Sequence, residues 1–223
     1  MPLYEDARPS SWSAVVGQDK VLAKLDKVRQ QGGLIGNAYL LCGGAGTGKS
    51  TISALICAEV CGSSDCVTTI GARKLKTEEL EAIVERCSRR PLFGKAWGII
   101  VEEAHELHGH IINDLKVVLE TPAVQRNSVW CFTSTPTELD AKQGSLFGDQ
   151  EAAAGNPFLS RCHLLEMDCG EQATLAFACH LRKIAQAASL DGADVTKYVQ
   201  LVRDNRWNLR RCLQLIQEGV MAS

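Results

Sequence analysis

A chain of 223 residues holds one generous domain, or a core domain with a small satellite, and its 45% hydrophobic and 22% charged residues are those of an ordinary soluble globular protein. A net charge of −2 excludes a global basic field for nucleic acid, so any contact with DNA must come from a local patch multiplied by oligomerisation. Met1 to Ser13 is polar with no apolar core segment, and no run approaches a membrane span, so neither a secretion signal nor a transmembrane helix is expected.

In chain order, an irregular start carrying Arg8-Pro9 and Trp12 leads through Val15-Val16-Gly17-Gln18 into an amphipathic helix with Val21, Leu22, Leu25 and Val28 at helical spacing. Gln31-Gly32-Gly33 ends it, and Asn37 to Cys42 reads as a first strand. The stretch Tyr39 to Thr51 then passes from strand to glycine-rich turn to helix. Gly43, Gly48, Lys49 and Ser50 fit a phosphate-binding loop, with Gly44, Ala45, Gly46 and Thr47 between them and Thr51 after. Glycines let successive N–H groups face phosphate oxygens, and the positive end of the next helix adds to that field. Lys49 is expected on the β- and γ-phosphates of a nucleoside triphosphate and Ser50 on Mg²⁺.

Beyond the loop, Cys66 to Ile70 reads as a second strand. A helix starts near Thr77, a plausible N-cap followed by Glu78 and Glu79. Ala96 to Val101 is an apolar run of the kind buried on both faces of a sheet, and it ends in Glu102-Glu103. A helix over Ile111 to Leu119, a strand from Ser128 to Phe132 ending in Thr133-Ser134, and a fifth strand from His163 to Met167 follow. The polar stretch Thr137 to Gly155 reads as an insertion or mobile loop. Helices at Glu171 to Ala188, Ala193 to Val202 and Leu209 to Gln217 complete the chain. The expected architecture is α/β, with an α/β nucleotide-binding domain over residues 1–168 and a small helical domain over 169–223. The ten cysteines are scattered, several inside apolar runs, as suits free thiols in a reducing cytoplasm.

Two adjacent acids at the carboxyl end of a buried strand can divide the work of hydrolysis. Glu102 is expected to hold Mg²⁺, and Glu103 to orient and activate the attacking water. Positive charge at the leaving phosphate has two candidates, Arg161 before the last strand and Arg210 early in the last helix. Ser134 is placed to hydrogen-bond the γ-phosphate or the water.

Taken in order, these segments resemble an AAA+ ATPase, and specifically the motor subunits of DNA-polymerase clamp loaders of the bacterial gamma/tau or replication factor C small-subunit type. The resemblance rests on Val15-Val16-Gly17-Gln18, the P-loop, Ile99 to Leu107, Leu115 to Pro122, Thr133 to Pro136, Ser160-Arg161-Cys162 and Asn208 to Leu213. It implies a parallel five-stranded sheet with flanking helices and a helical lid. It implies that Arg161 is the arginine finger reaching a neighbouring subunit's ATP site, that Arg210 is sensor 2 and Ser134 sensor 1, and that Val16 and Gly17 border the adenine. It further implies other AAA+ subunits, a sliding clamp and primer-template DNA as partners, with Arg73, Lys74 and Lys76 facing backbone phosphates and Arg86, Arg89 and Arg90 a weaker candidate. Gln143-Gly144-Ser145-Leu146-Phe147 resembles a short clamp-binding peptide, Leu146 and Phe147 filling an apolar pocket and Gln143 adding a hydrogen bond.

Some features depart from the family. Glu102 stands where the family usually has Asp, and Ser134 where Thr or Asn is commoner. Cys57, Cys61 and Cys66 lack the spacing and the fourth ligand of the zinc module of bacterial motor subunits, so no zinc is expected. The sequence stops at Ser223, before any equivalent of the collar domain. That leaves open a compact variant, assembly with a collar-bearing partner, another DNA-acting AAA+ protein such as a helicase loader, or an ATP-binding scaffold with weak turnover.

Overall fold

The apolar runs of the first two-thirds of the chain become β1 (Ala38–Cys42), β2 (Val67–Gly71), β3 (Trp97–Glu102), β4 (Ser128–Ser134) and β5 (Cys162–Glu166). The computed structural model describes residues 2–135, 157–167 and 170–221. The strands form one sheet in the order β2-β3-β4-β1-β5, and every pairing is parallel. Strands that alternate with helices return to the same edge of the sheet each time, so parallel pairing follows. Helices are α1 (Leu3–Asp6), α2 (Asp19–Gln31), α3 (Lys49–Cys61), α4 (Thr77–Cys87), α5 (Gly109–Val118), α6 (Pro122–Asn127), α7 (Glu171–Ala187), α8 (Val195–Asp204) and α9 (Leu209–Gln217).

The chain divides into two compact units. One comprises Lys24–Cys42 and Ile52–Glu166 and contains the sheet. Leu40, Ile99, Val101, Trp130 and Phe132 of the strands bury against Leu80 and Ile83 of α4, Ile111 and Leu115 of α5, and Phe158. Phe132 and Phe158 meet edge to face at 5.1 Å, a geometry worth about 1 kcal/mol beyond burial. Mid-strand Gly98 is required by packing, since a Cβ there would lie 2.9 Å from the sulfurs of both Cys57 and Cys61 on α3. The described cysteines are free. Burial pushes the Cys61 thiol up to about 12 and Cys87 up to about 11, so both stay neutral and pack as small apolar groups.

The other unit comprises the chain up to Ala23, Gly43–Thr51 and the chain from Met167 onward. Phe177, Leu181, Tyr198, Val202, Cys212, Leu213 and Ile216 form its core, and Leu3, Tyr4, Ala7 and Val16 pack against them. The Tyr198 hydroxyl donates to Asp191 Oδ1 at 2.9 Å, which satisfies a phenol that burial would otherwise penalise. Asp194 and Asn208 cap α8 and α9 by accepting from Val195 N and Arg211 N.

The expected elements are present, with shifted ends. Thr77 is not the N-cap of α4. Lys76 occupies that position in extended backbone, and its carbonyl accepts from Leu80 N at 2.9 Å. The second strand starts at Val67 because Ser64–Cys66 is a short 3₁₀ turn capped by Ser63. The fifth runs Cys162–Glu166 rather than His163 to Met167, in register with Ala38–Cys42 of β1. Helix α8 starts at Val195 because Asp194 caps it, two residues later than the apolar spacing suggests.

Candidate functional site

Within the unit that carries Gly43–Thr51, the loop is held by its own backbone and by the first turn of α9. Gly46 and Gly48 adopt φ of +73° and +100°, which side-chain-bearing residues rarely tolerate. A Cβ on Gly46 would come within 1.9 Å of Asn208 Oδ1, and one on Gly43 within 2.7 Å of Met167 Cβ. Leu209 N donates to the Gly46 carbonyl at 3.2 Å, and Thr47 Oγ1 donates to Gly44 O at 2.9 Å. Lys49 is buried, and its ammonium donates to the Gly43 and Gly44 carbonyls at 2.6 and 2.7 Å. A lysine curled over a glycine cradle in this way has the charge and the backbone room that a triphosphate requires. Ser50 and Thr51 stand in the first turn of α3.

The segment Val16-Gly17-Gln18 belongs to the same unit. Gln18 Nε2 donates to Thr47 O at 3.2 Å, and Gly17, with φ +71°, lies where a Cβ would sit 2.4 Å from the Phe177 ring. Arg210 is exposed on α9, its guanidinium 5.7 Å from the centroid of Tyr4. Tyr4 had no signal in the sequence reading, because a single aromatic in a polar start points to no partner.

In the sheet unit, the carboxyl ends of the central strands bring three candidates to one edge. Glu102 closes β3, Ser134 closes β4, and Ser134 pairs with Cys42, the last residue of β1. Glu103 follows in the left-handed region at φ 55°, ψ 49°, as N-cap of a 3₁₀ turn over Ala104–Glu106. A non-glycine residue there costs about 1–2 kcal/mol, and such outliers cluster at functional sites. The turn is held by Glu106 N donating to Glu103 O at 2.8 Å, and Glu103 N donates to the buried Thr133 Oγ1 at 3.4 Å. His105, absent from the sequence-derived site, has Nδ1 3.3 Å from Ser134 Oγ and 3.5 Å from Glu103 Oε2. Its position two residues after Glu103 was visible in the sequence, but its contact with Ser134 depends on pairing between β3 and β4.

Arg161 is not at that edge. It immediately precedes β5, whose first residue Cys162 pairs with Ala38, the first residue of β1. It therefore lies at the amino edge of the sheet, bound to Glu120 at 2.5 Å and to the Pro157 carbonyl. Of the basic candidates for DNA, Arg73 and Lys74 lie in a 3₁₀ turn after β2 and Lys76 caps α4. Arg73 pairs with Glu106 at 2.6 Å. Arg86 covers the Trp97 ring at 5.1 Å.

Gln143, Leu146 and Phe147 lie outside the described residues. Leu92 and Phe93, which the sequence reading passed over, are 95% and 80% exposed between Arg90 and Lys95. An apolar pair between basic residues in a Pro-Leu-Phe-Gly turn was a signal of the same kind as Leu146-Phe147.

No family model matches the chain. The gamma/tau subunit of DNA polymerase III from Mycobacterium tuberculosis is 28% identical over 162 residues, covering 62% of this chain and 28% of that protein. The tau subunit of Escherichia coli DNA polymerase III is 29% identical over 137 residues, covering 52% of this chain and 21% of that protein. The chain thus spans about a quarter of the length of these relatives. A RuvB variant from Thermotoga maritima superposes with a TM-score of 0.67 at 17% identity, covering 95% of this chain and 64% of that one. The RuvB likeness shows the fold, an α/β core with a parallel five-stranded sheet and a helix-rich C-terminal region. The gamma/tau similarities bear out the resemblance to clamp-loader AAA+ ATPases that the motifs carry.

Proposed function

We propose that the chain is an ATP-hydrolysing AAA+ motor subunit of a DNA-polymerase clamp loader, acting in the cytoplasm to place a sliding clamp on primed DNA. One observation carries the reading: Glu103 lies at the carboxyl edge of the sheet and Arg161 at its amino edge. A five-residue strand rising about 3.3 Å per residue sets these edges roughly 15 Å apart, further than an arginine side chain reaches. Arg161 is then available to a neighbouring subunit and unavailable to its own Glu103, so oligomerisation is part of the active site. The similarity to gamma/tau subunits supports the clamp-loading role.

In this reading Lys49 neutralises the β- and γ-phosphates, with the backbone of Gly43, Gly44, Ala45, Gly46, Thr47 and Gly48 and the hydroxyl-bearing Ser50 and Thr51 around them. Val16 and Gly17 border the adenine. Ser50 and Glu102 would hold Mg²⁺, which would supply positive charge to the phosphates when bound. Glu103 takes the proton of the attacking water, Ser134 and Arg210 report the γ-phosphate, and Arg161 stabilises the charge that develops in a neighbour's site. The helical lid is assigned to residues 169–223. Arg73, Lys74 and Lys76 take DNA phosphates. The apolar pairs Leu146-Phe147, with Gln143, and Leu92-Phe93 are assigned to the clamp.

The deciding measurement is steady-state ATP hydrolysis with primed DNA and a sliding clamp added separately and together. The expected result is a stimulation that needs both. Stimulation by DNA alone points instead to another DNA-acting AAA+ regulator, and an unchanged rate counts against a motor role.

A further inference from the structure

Among the described residues, four that are not glycine hold a left-handed φ, and two of them are adjacent, Arg206 at 50° and Trp207 at 57°. They lie in the link between α8 and α9, and none of the proposed hydrolytic roles accounts for them. We infer that Trp207 and Thr174 are positioning residues for the phosphate loop, locking a strained turn that seats the first turn of α9 on Gly46. The inference rests on the reading of Gly43–Thr51 as a nucleotide site, and all of these groups belong to the unit that carries that loop.

Left-handed backbone presses Cβ against the following carbonyl oxygen, so a residue with a side chain stays there only where surrounding contacts hold it. Local bonds close the turn. Arg206 N donates to Arg203 O and Trp207 N to Val202 O, both at 2.9 Å, and Asn208 N donates to Asn205 O at 3.0 Å. A further bond ties the turn to another helix: Trp207 Nε1 donates to Thr174 Oγ1 of α7 at 2.7 Å. The indole can only donate, and the threonine hydroxyl sends its own proton to Gly170 O at 3.3 Å, so donor and acceptor are matched. Thr174 is buried, which makes this bond costly to lose. A glycine at position 207 would adopt the turn without strain, but it could not anchor it. The side chain fixes this turn, against the preference of its own backbone.

The turn sets where α9 begins. Asn208 follows Trp207 directly and caps α9, accepting from Arg211 N at 3.0 Å. The next residue, Leu209, has an N–H that the first turn of a helix cannot use, and it donates to Gly46 O at 3.2 Å. Gly46 lies so near that a Cβ on it would come within 1.9 Å of Asn208 Oδ1. The phosphate loop is thus part of the N-terminal cap of α9. If Trp207 relaxes to an ordinary φ, the chain after it changes direction and Leu209 N leaves Gly46. The loop then loses a bond that holds its shape before a ligand arrives, and binding must supply that ordering instead. Nucleotide affinity is therefore set in part by an indole anchored on α7.

The test uses the full chain, with the affinities for ADP and for a non-hydrolysable ATP analogue measured beside the melting temperature of the nucleotide-free protein. Trp207→Phe keeps a ring without the N–H, and Thr174→Val keeps the shape without the acceptor. Each is expected to weaken both nucleotides by about three- to tenfold, the worth of one hydrogen bond, and to lower the melting temperature by no more than about 4 °C. Thr174→Ser, which retains the hydroxyl, is expected to stay within about twofold of wild type. Leu209→Pro removes the N–H that meets Gly46 at a helix position that suits proline, after an Asn208 already in extended backbone. It is expected to weaken both nucleotides as much, and Trp207→Phe to add less than about twofold on that background, since both interrupt one link. Affinities within twofold of wild type in Trp207→Phe and Thr174→Val overturn the inference, whatever their melting temperatures. So do an equal loss in Thr174→Ser and losses that multiply in Trp207→Phe/Leu209→Pro. A Lys49→Ala variant that binds both nucleotides as tightly as wild type overturns the reading of the loop itself, and the positioning role with it.

Discussion

The two edges of the sheet differ in how their charged groups are held. At the carboxyl edge, Glu103 sits on a strained turn, and its neighbours His105, Ser134 and Thr133 belong to the same turn or to the adjacent strand. At the amino edge, Arg161 is held by an ion pair to Glu120, whose side chain is 59% exposed, and by one carbonyl. The first arrangement fixes the backbone of Glu103 in place, as the proposed role in hydrolysis requires. The second rests on a surface carboxylate that another acidic partner can replace, although the Arg161 side chain itself is only 25% exposed. In the proposed function, the group that acts in its own site is braced by its own turn and the adjacent strand, and the group that acts in another subunit is held by one surface carboxylate and one carbonyl.

Breaking the amino edge has the largest expected effect. Arg161→Ala should reduce ATP turnover by about 10³-fold with nucleotide affinity little changed, and mixing it with Lys49→Ala subunits should recover part of the activity. Two inactive partners that stay inactive in the mixture would remove the difference between the edges. Glu103→Gln at the carboxyl edge should cost about 10²- to 10³-fold in single-turnover hydrolysis while retaining ATP binding, and no mixing partner should rescue that subunit's own site. Ser134→Ala should cost about tenfold or somewhat more. Glu120→Gln should have the smallest effect, a change of a few-fold in the rate of the assembled oligomer with thermal stability nearly unaltered. A large stability loss there would mean that the pair is structural rather than exchangeable.

Much of this was legible in the sequence, for local reasons. The strand-to-helix passage around Lys49 shows itself through glycines and a lysine within a few residues, and the limits of Leu209–Gln217 follow from apolar spacing and the capping Asn208. The ends of α4 and α8 were misplaced because Lys76 and Asp194 assume the cap positions. Glu103 was picked out by following an apolar strand, but nothing in its neighbours signals a left-handed backbone. The Arg161–Glu120 pair and the contact of Ser134 with His105 join residues 41 and 29 positions apart, and no local pattern announces either.

The sequence alone determined the P-loop, the paired glutamates and the alternation of strands with helices, because each depends on residues close in the chain. Only the tertiary structure decided that β4 lies between β3 and β1, which brings Ser134 to the edge where Glu103 emerges. It also decided that Arg161 stands at the other edge, since β5 runs parallel to β1 and Arg161 comes before it. Strand order and direction are set by how helices pack across the sheet. That is a property of the whole fold, and it settles which charged groups can share a site.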